Sequence, residues 1–186
     1  FAGNNYSAEW VKEAEKRGLL NLRRTPEALQ KLATKQSRKL LTSLGIFTNE
    51  ELDSRYHVRL ERYTKDMLIE LHTLREMVDT YVVPAALGYA GSLAASAAQA
   101  KSAGISTVPQ IGIADKVGKM IEGLLKRRDT LAEVIAKAES MHDDPGAQAK
   151  LLTGKGADTM AEVREKCDEL ELMVSDSDWP LPKYRE

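Results

Sequence analysis

TNEELDSRYHVRLERYTKDMLIELHTLREMVDTYVV, running from Thr48 to Val83, decides the fold. Its apolar residues fall at Leu52, Tyr56, Leu60, Tyr63, Met67, Leu71, Leu74, Val78 and Tyr81. These steps alternate between three and four, which lays every one on a single stripe of an α-helix. Asp53, Arg59, Arg62, Lys65, Asp66 and Glu76 take the opposite, solvated face. The start is marked by local chemistry: Thr48 caps the first turn and Glu51 reaches back to it, a capping box. Phe47 before the cap and Leu52 after it are spaced as a hydrophobic staple. At ~1.5 Å per residue such a helix is roughly 50 Å long. It offers the rest of the chain its largest packing surface.

Downstream, Pro84 falls inside the same pattern. Its missing N–H and its ring predict a kink, with helix resuming through Ala85 to about Ser102. Gly104 to Pro109 reads as a turn. A second long helix is predicted from Gln110 to Met141, with Ile113, Val117, Met120, Ile121, Leu124, Leu125, Leu131, Val134, Ile135 and Ala138 inward. Asp143-Asp144-Pro145-Gly146 closes it and caps a short helix through Leu152, and Gly154-Lys155-Gly156 reads as a flexible turn. A last helix, Asp158 to about Val174, buries Met160, Val163, Cys167, Leu170 and Val174. Upstream, Ser7 caps a helix ending at Gly18, Thr25-Pro26-Glu27 starts another, and a break near Thr34 to Ser37 precedes Leu40, Leu41 and Leu44.

The expected fold is therefore all-α: a bundle of long antiparallel helices with shorter N-terminal helices and an extended, proline-containing tail. Residues 1–46 lead in, residues 47–174 form the bundle, and residues 175–186 form the tail. The 186 residues leave room for one domain with a real core. Lys and Arg number 27 against 28 Asp and Glu, a near-neutral balance that provides no electrostatic reason to expect nucleic acid. The uncharged run from Thr80 to Ala100 has the length of a membrane span. Pro84, Gly88 and Gly91 interrupt it and Ser92, Ser96 and Gln99 dilute it, so helix-on-helix packing is expected and no membrane partner. The single Cys167 excludes an internal disulfide and fits a reducing compartment. A start at Phe1, polar first residues and an end at Glu186 read as a piece of a longer polypeptide without a signal peptide.

Candidate chemistry is thin. Glu139-Ser140-Met141-His142 has the Glu-x-x-His spacing of helical di-iron sites, which need that pair twice, and no second copy occurs. His142 also falls at a helix end, where the dipole favours a histidine. His57 and His72 read as helix residues beside the stripe. Cys167 reads as a small buried hydrophobe. Gly154-Lys155-Gly156 lacks the glycine spacing and the following Ser or Thr of a phosphate loop. Glu70 and Glu171 are candidate buried carboxylates, each better explained by a salt bridge. No catalytic, cofactor-binding or metal-binding residue is assigned. The candidate interface residues are Trp179, Pro180, Leu181, Pro182 and Tyr184, large apolar side chains on a segment that prolines keep extended. Such a segment either folds back over the end of its own bundle or docks in a groove elsewhere. Phe47, Thr48, Glu51, Leu52 and Pro84 are assigned structural roles.

Three parts of the chain carry a family resemblance. The tail reads Asp178-Trp179-Pro180-Leu181-Pro182-Lys183-Tyr184-Arg185-Glu186, after a helix with Arg164, Asp168, Leu170, Glu171, Val174 and Asp176. The middle carries Glu51-Leu52, Arg55-Tyr56, Leu60-Glu61, Tyr63, Ile69-Glu70, Thr73, Met77 and Pro84-Ala85. The start carries Tyr6-Ser7, Trp10-Val11, Glu13-Ala14, Arg17-Gly18, Leu20-Asn21-Leu22, Thr25-Pro26 and Ala28-Leu29. Together these resemble the C-terminal helical region of type III glutamine synthetases; the stretch from Gly91 to Pro109 does not take part. The resemblance implies a parent enzyme that ligates ammonia to glutamate with ATP through a γ-glutamyl phosphate. It implies Mg or Mn held by carboxylates in a β-rich site upstream, and no cofactor in this piece, which is not expected to be an enzyme by itself. The expected partners are an upstream catalytic domain and neighbouring subunits of a cytoplasmic homo-oligomer. The alternative is a free-standing helical interaction or adaptor module with no enzymatic role, distinguished by whether the reading frame continues upstream into a catalytic domain.

Overall fold

The computed structural model describes residues Gly3 to Lys183. Among them there are helices and no strand. Eight α-helices follow one another: α1 Ala8–Lys16, α2 Thr25–Leu32, α3 Lys35–Ser43, α4 Asn49–Met77, α5 Val83–Ser102, α6 Val108–Glu139, α7 Pro145–Leu151 and α8 Ala157–Glu171. Two single π-helical turns, Val78–Val82 and Leu152–Gly156, join α4 to α5 and α7 to α8 without a break. The chain forms two compact units that divide within α4, at Tyr63 and Thr64.

The first unit is built from short, locally capped helices. The Ser7 hydroxyl accepts from the Trp10 N–H at 3.3 Å, and Thr34 accepts from Ser37 at 3.4 Å. Gly18 and Gly45 adopt left-handed φ values of 70° and 67°, which spare them the Cβ clash another residue would meet. The predicted capping box is present. The Thr48 N–H donates to Glu51 Oε2 at 2.8 Å, and the Glu51 N–H donates to Thr48 Oγ1 at 3.1 Å. Phe47 is half-buried under the Arg55 guanidinium, 4.5 Å from its ring centroid, and Leu52 is buried. Arg38 pairs with Asp53, which holds the Asp53 carboxyl below its ordinary range.

In the second unit α6 packs on both α5 and α8. Its buried side is Val117, Ile121, Leu124, Leu131, Val134, Ile135 and Ala138. Ile113 departs from the expected inward set and is exposed. Glu70, expected as a buried candidate, is exposed as well. The α4 stripe holds through Met67, Leu71 and Val78. It then slips: Tyr81 is 49% exposed, whereas Val82 is 2% exposed and Ala86 fully buried. The π-turn is the cause. Its i to i+5 hydrogen bonds insert one extra residue, so the inward face advances by one position. The same turn resolves Pro84. Instead of breaking the helix, the proline directly follows the π-turn, whose i to i+5 bonding takes up the i to i+4 bond that the proline cannot make.

Gly154-Lys155-Gly156, expected as a flexible turn, lies inside continuous helix. Leu152, Thr153 and Gly156 are buried there. A Cβ placed on Gly156 would lie 3.7 Å from the Leu71 side chain, so this turn rests on α4. Packing outweighs the roughly 1 kcal/mol by which a helical glycine is disfavoured against alanine.

Candidate docking groove

The tail, the π-turn of residues 78–82 and α8 enclose one groove. Trp179, Leu181, Pro182 and Lys183 form one wall, Arg164, Cys167, Asp168 and Glu171 a second, and Leu74, Met77, Val78 and Val82 the floor; its volume is about 530 Å³. Each wall follows from a local feature. The π-turn brings Val78 and Val82 to one side four residues apart. On α8, Val163, Cys167, Leu170 and then Val174 recur at helical spacing and are buried. After Glu171 the backbone turns: the N–H groups of Asp178 and Trp179 both donate to the Ser175 carbonyl at 3.0 Å. That turn delivers Trp179 onto the helices of its own unit.

Trp179 is only 7% exposed. Its indole Nε1 is buried with no hydrogen-bond acceptor among the described residues. Lys183 anchors the far end of the tail. Its Nζ donates to the Val174 carbonyl at 2.7 Å and pairs with Asp176 at 2.9 Å. Arg164 pairs with Asp168 across one helical turn at 2.7 Å. The cations at the groove's rim are thus matched by carboxylates, and the interior is apolar. Burial, and then the neighbouring Asp168 charge, push the Cys167 thiol from its ordinary 9.0 up to about 11. At neutral pH it is a thiol, the unreactive form. The arrangement suits an apolar segment with a neutral rim; it offers no activated nucleophile.

Of the residues singled out at the tail, Trp179, Leu181 and Pro182 are brought together in this groove, whereas Pro180 is exposed outside it. Tyr184 lies outside the described residues. Sequence reasoning did not anticipate the floor as part of a site: Leu74 and Val78 lie on the stripe, which signalled only core positions, and Met77 and Val82 lie off it. Glu139 Oε1 lies 2.9 Å from His72 Nε2, so the Glu139-to-His142 spacing is not used as a pair. His142 is exposed beside Asp143 at 3.3 Å. Among the described residues no group of three or more His, Cys, Asp and Glu side chains is placed to hold a metal ion.

The comparisons with known proteins agree on one family. A family model described as the glutamine synthetase C-terminal domain matches residues 1–101. Over its whole length the chain is 31% identical to the type-3 glutamine synthetase of Dictyostelium discoideum, covering 26% of that protein. It is 34% identical to a glutamine synthetase of Butyrivibrio fibrisolvens, covering 27% of it. It is 31% identical to a glutamine synthetase of Bacteroides fragilis (strain YCH46), covering 26% of it. The chain thus spans about a quarter of the length of the curated relatives it matches.

Proposed function

Since the chain belongs to the glutamine synthetase C-terminal domain family, we propose that it is the non-catalytic helical part of such an enzyme and serves packing and subunit assembly. In the parent, ATP and Mg or Mn drive ligation of ammonia to glutamate in a cytoplasmic homo-oligomer. Those cofactors do not fit the residues here: no metal-holding cluster occurs among the described residues, and the Gly154-Lys155-Gly156 segment is helix. In this reading metal and nucleotide are held by an upstream catalytic part of the parent enzyme. One observation carries the proposal. The whole chain aligns to about a quarter of full-length glutamine synthetases, and the groove between its tail, π-turn and α8 is apolar with a charge-matched rim. We read that groove as the seat of an apolar segment of the catalytic part or of a neighbouring subunit. Trp179 closes it from within the chain, while Pro180 and Pro182 keep exposed surface for the catalytic part or a neighbouring subunit.

Two preparations test this. The 186-residue chain alone should form no glutamine from glutamate, ammonia and ATP. A full-length enzyme lacking this region should sediment as smaller species while its remaining part still binds nucleotide. Glutamine synthesis by the isolated chain, or unchanged assembly of the truncated enzyme, would refute the proposal.

A further inference from the structure

The π-turn at Val78–Val82 holds one residue more than a plain α-helical path, and its two sides are held unequally. Upstream it is pinned: Val78 is fully buried, and Asp79 pairs with Arg128 of α6 at 3.3 Å. Within it, the Val83 N–H donates to the Val78 carbonyl five residues back, and the hydroxyl of the exposed Thr80 donates to the Glu76 carbonyl at 2.7 Å. Downstream, α5 is held loosely. Its buried residues are Ala86 and Ala97, and a Cβ added at Gly88 or Gly91 would meet nothing within 4 Å. No charged residue lies between Thr80 and Ala100, so turning this stretch about its axis would bury no charge. Single π-turns inside α-helices are frequent at functional sites.

We infer that this turn is a register hinge: α5 rotates about it by one residue, about 100°, and exchanges Val82 for Tyr81 on the groove floor. The residues on either side of the exchange are matched. With the π-turn in place, Val82 and Ala86 face inward and Tyr81 is 49% exposed. With i to i+4 bonding throughout, the stripe that reaches Val78 continues to Tyr81 and Ala85. One pair of uncharged, mainly apolar side chains replaces another. Pro84 sets the bias between the two registers, because it has no N–H for the Thr80 carbonyl four residues back and its ring crowds that carbonyl. The consequence falls on the groove of about 530 Å³, whose floor includes Val82. Tyrosine in the place of valine brings a phenol ring into that volume and closes it. The inference rests on the reading of the groove as a docking seat and adds its regulation. A segment that enters the groove binds the π register alone, and so draws α5 into it.

Fluorine NMR of the chain labelled with fluorotyrosine tests the hinge, with Tyr81→Phe assigning the Tyr81 resonance. The wild-type chain should show an exposed Tyr81 in exchange with a minor buried state. Pro84→Ala should raise the buried population by about tenfold or more, with helix content by circular dichroism retained. Deleting Thr80 in the Pro84→Ala background removes the extra residue and keeps Val82 and Ala86 inward on a plain α-helix. That variant should hold Tyr81 in one exposed state. A Tyr81 that is exposed alone in both the wild type and Pro84→Ala, or an exchange that persists after the deletion, would overturn the hinge. In the full-length enzyme Pro84→Ala should loosen the assembly by closing the groove. If Tyr81 exchanges as expected and that assembly sediments unchanged, the hinge stands and the reading of the groove as a docking seat fails.

Discussion

Replacing Trp179 by alanine should destabilise the chain and leave its helix content nearly unchanged before melting. Trp179 is 7% exposed and closes the groove against Leu74, Met77, Val78 and Val82. Deleting a buried aromatic side chain costs about 3–5 kcal/mol, and the pre-existing groove leaves the site little able to collapse. One contribution opposes this. The indole Nε1–H is buried without an acceptor among the described residues, and relieving such a group returns about 1–3 kcal/mol. Taking the middle of each range, the net loss is about 2 kcal/mol. For a chain of this size each 1 kcal/mol moves the melting temperature by about 2–4 °C, so Trp179→Ala should lower it by about 4–8 °C. Trp179→Phe separates the two contributions, because it keeps apolar bulk and removes the orphaned donor; it should fall by less than half as much. Thermal melting followed by far-ultraviolet circular dichroism is the assay. A shift below about 2 °C for the alanine variant would show that the tail contributes no clasp to its own unit, and the reasoning from burial would be wrong.

Other perturbations probe the remaining links. Pro84→Ala restores an N–H where the π-turn meets α5 and lets the ladder close at α-helical spacing; that would rotate Val82 and Ala86 away from the core, so the melting temperature should fall, and an unchanged or higher value would make the π-turn independent of the proline. Thr48→Ala removes the acceptor for the Glu51 N–H and should cost about 0.5–2 kcal/mol in urea unfolding, largely recovered by Thr48→Ser. Cys167 should resist thiol reagents at pH 8 until the chain is unfolded. Its folded pKa of about 11 exceeds the ordinary 9.0, so its contribution to stability is complete below pH 9 and is lost as pH rises toward 11. Melting across that alkaline window in wild type and Cys167→Ala, with the variant showing the shallower decline, is the check.

The elements legible in the sequence are those governed by neighbours within a turn or two. The Thr48–Glu51 capping box, the glycine stop at Gly18 and the proline start of α2 formed as read, because each depends on side chains and backbone a few residues apart. The three-and-four spacing from Leu52 to Val78 likewise marked the buried stripe of α4. The tail was legible as a site through Trp179, Leu181 and Pro182, since prolines and aromatics on a non-helical segment are a local signal. The partners of that tail were not. Which helix face Trp179 meets depends on a π-turn at Val78–Val82, and that turn shifts the inward position from Tyr81 to Val82. No local rule announces it: one extra residue in a turn is tolerated only where packing on both sides offsets the altered hydrogen bonds. The same holds for Gly154 to Gly156. Their composition reads as a turn, and the burial of Leu152, Thr153 and Gly156, the last beside Leu71, keeps the segment helical. Local propensity is worth about 1 kcal/mol per glycine, and burying one leucine outweighs it. Sequence alone could therefore determine where helices begin, end and turn their apolar faces; register after the π-turns, and with it the groove, was decided by tertiary packing.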